Sequence, residues 1–197
     1  PLLEKLVAFN IKFAGYYDST KAPYDALLNE YERGVDMEYL DKFFATLRER
    51  IVPLIHAVGE REQPDGSFLE RHCPVEAQRK FSDYLMEVLG LDRSHCTIGE
   101  TEHPYTLEFN NKDVRITTHY SDHVDSSLFS VIHEAGHGIY EMGVEDCLTQ
   151  TLIGQGASMG MHEPQSRFME NIVGRNGAFW VPVYQKIQEM FPDQLGA

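Results

Sequence analysis

The run His133-Glu134-Ala135-Gly136-His137 places two imidazoles four residues apart with a carboxylate beside the first. On a helix, residues four apart share a face, so both rings can offer a nitrogen to one metal ion. Glu134 leans over the same end of that site, where its carboxylate can take a proton from a water at the metal, and it is the natural general base. A chance H-E-x-x-H in a chain of this composition is roughly a four per cent event. The flanks argue against chance. Asp125, Ser126 and Ser127 supply N-cap oxygens, Leu128, Val131, Ile132 and Ile139 an apolar stripe, and Gly143 a stop, so the motif falls mid-helix.

A catalytic zinc takes three protein ligands and keeps one position open. The metzincin pattern would place glycine three residues and histidine six residues beyond His137, but Tyr140 and Gly143 stand there. The alternative is a glutamate from a later helix, and Glu163 begins the next helical segment, 26 residues beyond His137.

The elements that must position these groups follow from periodicity. Leu40, Phe43, Phe44, Leu47, Ile51, Leu54, Ile55 and Val58 recur at spacings of three and four behind Asp36, a candidate N-cap. Pro53 should bend or interrupt that helix and Gly59 should stop it. Shorter helical patterns span 2–13, 24–31 and 75–89, the stretch 59–74 is a polar loop, and another helical pattern runs from about His162 to Val173. The aromatic and aliphatic stripes are expected to be core and not binding surface. After Gly90 the texture changes. Thr106–Phe109 and Val114–Tyr120 flank Asn110-Asn111-Lys112-Asp113, which is hairpin chemistry. Such a ribbon can pair with an extended peptide or can simply cover the core.

Composition limits the partners. The 197 residues are 42% hydrophobic, enough for one sizeable core, and carry a formal charge of −14, which argues against nucleic acid. Cys73, Cys96 and Cys147 are odd in number and form no C-x-x-C pair, so a reducing, cytoplasmic setting fits best. No run of eighteen apolar residues and no basic-then-apolar leader is present, so membrane insertion and secretion are not expected.

Four blocks then stand out in order and spacing: His103-Pro104-Tyr105, Asp113-Val114-Arg115-Ile116-Thr117, His133 to His137, and His162-Glu163-Pro164-Gln165. As a set they resemble the zinc carboxypeptidase family typified by carboxypeptidase Taq. Tyr24 to Leu28 and Ser166 to Asn171 look like family sequence too, so the resemblance covers essentially the whole chain. It implies His133, His137 and Glu163 as metal ligands and Glu134 as the base, with zinc, or cobalt or manganese, as the metal. It further implies peptide substrates trimmed from the C-terminus and a homodimeric parent. The expected fold is mainly α, a gluzincin-like helical metallopeptidase with one small β-hairpin beside the metal helix. Residues 1–90 would form a helical scaffold and 91–197 the hairpin and zinc-site helices, together the central part of one catalytic domain.

Around the ligands, His103 precedes a proline and could aim its ring into a cleft or could cap and pack. Arg115 could hold a substrate carboxylate or could pair with Asp113. Gln165 and Arg167 could orient ligands or lie on a helix surface, and His162, about 100° around the helix from Glu163, is expected to be structural. Tyr105 stands where the family usually has phenylalanine, and Pro164 where it has serine or glycine, a change compatible with Glu163 near a helix start. Family members are longer at both ends. Their later I-R-x-x-A-D and Q-D-x-H-W blocks are not found here, so the chain is expected to be a central piece of such an enzyme. A metalloendopeptidase with the same ligands, or a zinc-binding or dimerisation fragment without catalysis, are the rival expectations.

Overall fold

A computed structural model describes residues 1–195, and the chain divides into two compact units, Pro1–Pro64 and Asp65 onward. The break falls in the polar loop, earlier than the change of texture after Gly90. In the first unit the periodic segments form α1 (Leu2–Tyr17), α2 (Pro23–Tyr31) and α3 (Met37–Gly59). Pro23 takes the first position of α2, where its missing N–H is no loss. Asp36 caps α3 by accepting from the Tyr39 N–H at 2.8 Å, and Asp25 accepts from the Met37 N–H at 2.9 Å.

Two expectations for this unit are corrected. Pro53 does not interrupt α3, which runs unbroken through it. The proline removes one ladder bond to the carbonyl of Glu49, but that residue is exposed, so water can satisfy the freed oxygen. Nor is the apolar stripe of α3 core. No residue of α3 is buried, and Phe44, Leu54 and Ile55 are each more than half exposed. Only Ala14 and Ala26 are buried in the whole unit. Periodicity reports that an apolar face exists, not that a surface lies against it.

The second unit does enclose a core. After a 3₁₀ turn at Ser67–Glu70 come α4 (Val75–Val88), β1 (Cys96–Glu100), β2 (Thr106–Asn110), β3 (Asp113–Thr118) and α5 (Val124–Met142). Next, α6 (Met159–Arg167) runs directly into a π-helical segment, Phe168–Gly174. Short helices α7 (Gly177–Trp180), α8 (Tyr184–Met190) and α9 (Pro192–Leu195) follow. β2 and β3 form the expected antiparallel hairpin, but the sheet has a third strand. β1 lies parallel to β3, with Cys96 opposite Val114, giving the order β1-β3-β2. Cys-Thr-Ile-Gly-Glu is short, interrupted by glycine and without clear alternation, so its pairing comes from the neighbour and not from its own pattern.

Val114 and Ile116 of β3 project into a core with Phe81, Leu85 and Met86 of α4, Val131, Ile132 and Ala135 of α5, and Phe191. Phe81 and Phe191 meet edge to face at 5.6 Å. Buried Gln78 donates to the carbonyls of Cys73 (2.8 Å) and Ser121 (2.7 Å) and accepts from Ser127 Oγ at 2.7 Å. Ser127 is thereby not the cap that was expected. α5 begins one residue before Asp125, its N-cap is His123, and no side chain caps it. Gly143 does close the helix, whereas Ile139 faces solvent instead of joining the stripe. Among the described residues no helix is long and apolar enough to cross a membrane.

Candidate metal centre

α5 and α6 can touch because residue 136 has no side chain. A Cβ there would lie 2.6 Å from Ser166 Cα and 2.8 Å from the Gln165 carbonyl oxygen, so only glycine admits the α6 backbone this close to the histidine turn. The crossing carries Glu163 over both imidazoles. Glu163 Oε2 lies 3.5 Å from His137 Nε2 and 3.9 Å from His133 Nε2, and the three ligand atoms all fall within 4.8 Å of one another. Ligands at tetrahedral corners, about 2.0–2.1 Å from a zinc ion, sit roughly 3.3 Å apart. The donor set therefore fits such an ion after small side-chain movements.

Each donor is held from behind. Glu163 Oε1 accepts from Arg167 Nε at 2.8 Å. His133 Nδ1 lies 2.9 Å from Glu170 Oε2, a contact in which the ring nitrogen donates and leaves Nε2 free for metal. Glu170 also receives Arg175 at 2.9 Å and Arg167 at 3.3 Å. Burial raises its proton affinity, but the hydrogen bonds from His133 and Arg175 and the nearby positive charge outweigh that, so the carboxyl sits below its ordinary range and is ionised. His137 is driven down to about 4, first by burial and then by its histidine neighbours, so its ring is neutral at physiological pH, the form a metal can take.

Glu134 is buried beside the donors, and Thr106 Oγ1 of β2 donates to its Oε2 at 2.6 Å. Burial is the largest influence on this carboxyl and raises its pKa; Glu163 adds to the rise, while Thr106, His133 and His103 oppose it. These groups form the floor of a cleft of about 1110 Å³, whose walls include His103, Tyr105, Phe129, Arg167 and Arg175. Thr117 fixes the wall: its hydroxyl bonds Tyr105 N–H (2.9 Å) and carbonyl (3.0 Å) and Thr101 Oγ1 (2.9 Å).

His103 thus faces the cleft, and Arg167 both lines it and bonds Glu163. Two candidates stand elsewhere. Arg115 points from the outer face of β3, bonded to Asp113 at 2.9 and 3.0 Å and stacked over Phe109 at 4.7 Å, and it does not line the cleft. Gln165 does not line it either; its contribution is the carbonyl against Gly136. Pro164 is the sixth residue of α6 and not in the first turn, so Glu163 lies deeper in the helix than expected. His162 does not turn away from the site: its Nδ1 lies 2.6 Å from His137 Nδ1. Sequence reasoning missed Thr106, Gly136, Glu141 and Glu170 altogether. Glu170 stands seven residues after Glu163, a spacing that would place it on the same helical face, and that was the one available signal.

A helix bearing two ring nitrogens and a carboxylate, crossed by a second helix that closes the donor set, is the architecture of a metallopeptidase. The chain belongs to the carboxypeptidase Taq (M32) metallopeptidase family, whose sequence profile matches residues 1–197. Carboxypeptidase 1 of Bacillus subtilis (strain 168) is 44% identical over 197 residues, 99% of this chain and 39% of that protein. Thermostable carboxypeptidase 1 of Thermus thermophilus is 39% identical over 170 residues, 85% of this chain and 33% of that protein. The crystal structure of the M32 carboxypeptidase from Deinococcus radiodurans R1 superposes with a TM-score of 0.92 at 36% identity, covering 98% of this chain and 39% of that one. The chain spans about two fifths of the length of these relatives.

Proposed function

We propose that this chain carries the metal centre and general base of a zinc metallocarboxypeptidase that releases single amino acids from peptide C-termini. The observation that carries the proposal is the convergence of His133, His137 and Glu163 beside buried Glu134. His133, His137 and Glu163 are the ligands, and the mixed nitrogen and oxygen set suits zinc while admitting cobalt or manganese. A bound divalent ion supplies Lewis acidity to a peptide carbonyl and to a water.

The chain's own residues do the rest. Glu134 accepts the proton of the attacking water and passes it to the departing amide nitrogen; its raised proton affinity brings it closer to the working pH of such a base. Because Thr106 engages Oε2, Oε1 is the oxygen left for that exchange. His103, on the cleft wall, is the candidate contact to the substrate backbone. Arg115 does not line the cleft, whereas Arg167 and Arg175 do, so these two replace it as the guanidinium groups near the substrate. Gln165 supports the helix crossing. The homodimeric parent is carried over from the family resemblance, and the free thiols Cys73, Cys96 and Cys147 support a cytoplasmic setting.

Zinc titration of the chain and its variants tests the centre. Wild type should bind one ion, Glu163→Ala should lose at least about a hundredfold in affinity, and Glu134→Gln should keep it, as expected for a base that is not a ligand. Unchanged affinity in Glu163→Ala overturns the ligand set. In a longer version of the protein, Glu134→Gln should abolish release of the C-terminal residue from a peptide with a free carboxylate, while the amidated peptide resists even the wild type. Equal cleavage of both peptides would favour an endopeptidase, and cleavage of neither a non-catalytic zinc unit.

A further inference from the structure

The two candidate histidine ligands are backed differently. His133 meets the carboxylate of Glu170 directly, whereas His137 has a second imidazole behind it. His137 Nδ1 lies 2.6 Å from His162 Nδ1, and His162 Nε2 lies 2.5 Å from Glu141 Oε1. Glu141, four residues beyond His137 on α5, is only 3% exposed, and its Oε1 also accepts the Gly156 N–H at 2.9 Å. The chain is boxed in on its other sides. The Tyr140 ring stands perpendicular to His162 at 5.0 Å, and a side chain at Gly156 would collide with the His162 ring and come within 2.8 Å of Glu141 Oε1.

The direction of the bonds follows from the ends. A carboxylate has no proton to give, so His162 Nε2 must be the donor to Glu141. In a neutral His162 the Nδ1 is then bare and must accept from His137 Nδ1–H. His137 is left with its lone pair on Nε2, the atom that lies 3.5 Å from Glu163 Oε2. The reverse order would put the proton on Nε2 and spoil the donor. We propose that His162 and Glu141 are positioning residues, a relay that fixes the tautomer and ring angle of His137 so that Nε2 faces the metal. The proposal rests on the ligand assignment above for its purpose, but the relay itself is a property of the metal-free chain.

Nitrogen-15 spectra of the histidine rings in the metal-free protein test it without any variant. His137 should show a single tautomer protonated at Nδ1, with that proton shifted downfield by the short hydrogen bond. A mixture of tautomers overturns the relay. Among variants, His162→Phe keeps the ring and removes the acceptor, and should weaken zinc by about 10–100-fold, the usual cost of losing such support. His162→Asn can return an amide oxygen to the place of Nδ1 and should recover most of that loss, which a merely space-filling role would not. Glu141→Gln keeps an acceptor oxygen and should lose less than His162→Phe. If His162→Phe binds zinc as wild type does, the relay is wrong; if His137 is locked but wild type binds no zinc, the relay stands and the ligand assignment falls.

Discussion

Residues 1–64 and the residues from Asp65 onward carry apolar side chains at the same helical spacing, yet only the second set is enclosed. Phe43 on α3 is 48% exposed, whereas Phe81 on α4 is 1% exposed against Phe191. The candidate metal centre lies entirely in the enclosed unit. Three ligand atoms within 4.8 Å of one another must come to rest within fractions of an ångström of a metal's geometry, which demands side chains braced from behind by their neighbours. In α5 the faces are divided accordingly: Val131, Ile132 and Ala135 are fully buried in the core, while His133 and His137 look into the cleft. Among the described residues nothing comparable surrounds α3.

Truncation at matched positions is the sharpest way to break this contrast. Phe81→Ala should cost about 3–5 kcal/mol in chemical denaturation, because it leaves a cavity among Leu85, Phe191 and their neighbours. Phe43→Ala should cost under about 1 kcal/mol and leave zinc affinity unchanged. Equal losses would mean that the first unit has a hidden core of its own.

A smaller effect probes how the enclosed unit serves the site. Gly136→Ala should force the α6 backbone away and cost about 1–3 kcal/mol as an overpacking change. Since the displaced helix bears Glu163, zinc affinity should fall with it by about tenfold or more; a stable Gly136→Ala protein with unaltered affinity would show that Glu163 does not depend on the crossing. An alanine placed at Gly15 of α1, where a Cβ meets nothing within 4 Å, is the control and should do neither.

The smallest effect is a pH signature of enclosure. Burial pushes the Cys96 thiol up to about 11 from an ordinary value of 9.0. Its folded-state pKa is raised, so the stability it contributes is fully present below about pH 9 and is lost as pH rises toward 11, where the unfolded chain alone has released the proton. The melting temperature of wild type should fall more steeply between those values than that of Cys96→Ala. Parallel curves would place this thiol in contact with water.

Much of the candidate site is legible in the sequence, because its chemistry is written in side-chain type and helical phase. The spacing of His133 and His137 fixes a common face, and Glu163 is a carboxylate at the start of a helical pattern. The helices and the hairpin were legible for the same reason. What escaped has a common cause, dependence on a neighbour distant in the chain. β1 takes its place from β3, Thr106 acts on a residue 28 positions away, and His162 was judged by its angle on its own helix and not by what stood opposite. The small residue inside the histidine motif read as filler, although a Cβ there would reach the backbone of another helix. Asp25, the amide N–H of Asn111 and Gln78 show the same limit, since each has a hydrogen-bond partner 12 or more residues away.

The π-helical segment after α6 has a consequence for how this region can vary. Glu170 reaches His133 from within the segment Phe168–Gly174, where the chain widens its turn. Each residue of an α-helix turns the chain by about 100°, so removing one residue between Glu163 and Glu170 would swing the later carboxylate to another side of the axis, whatever side chains remained. A substitution at an outward position of that interval such as Phe168 leaves the phase intact. Between these two glutamates the count of residues has to be preserved as strictly as the identity of Arg167, which bonds both.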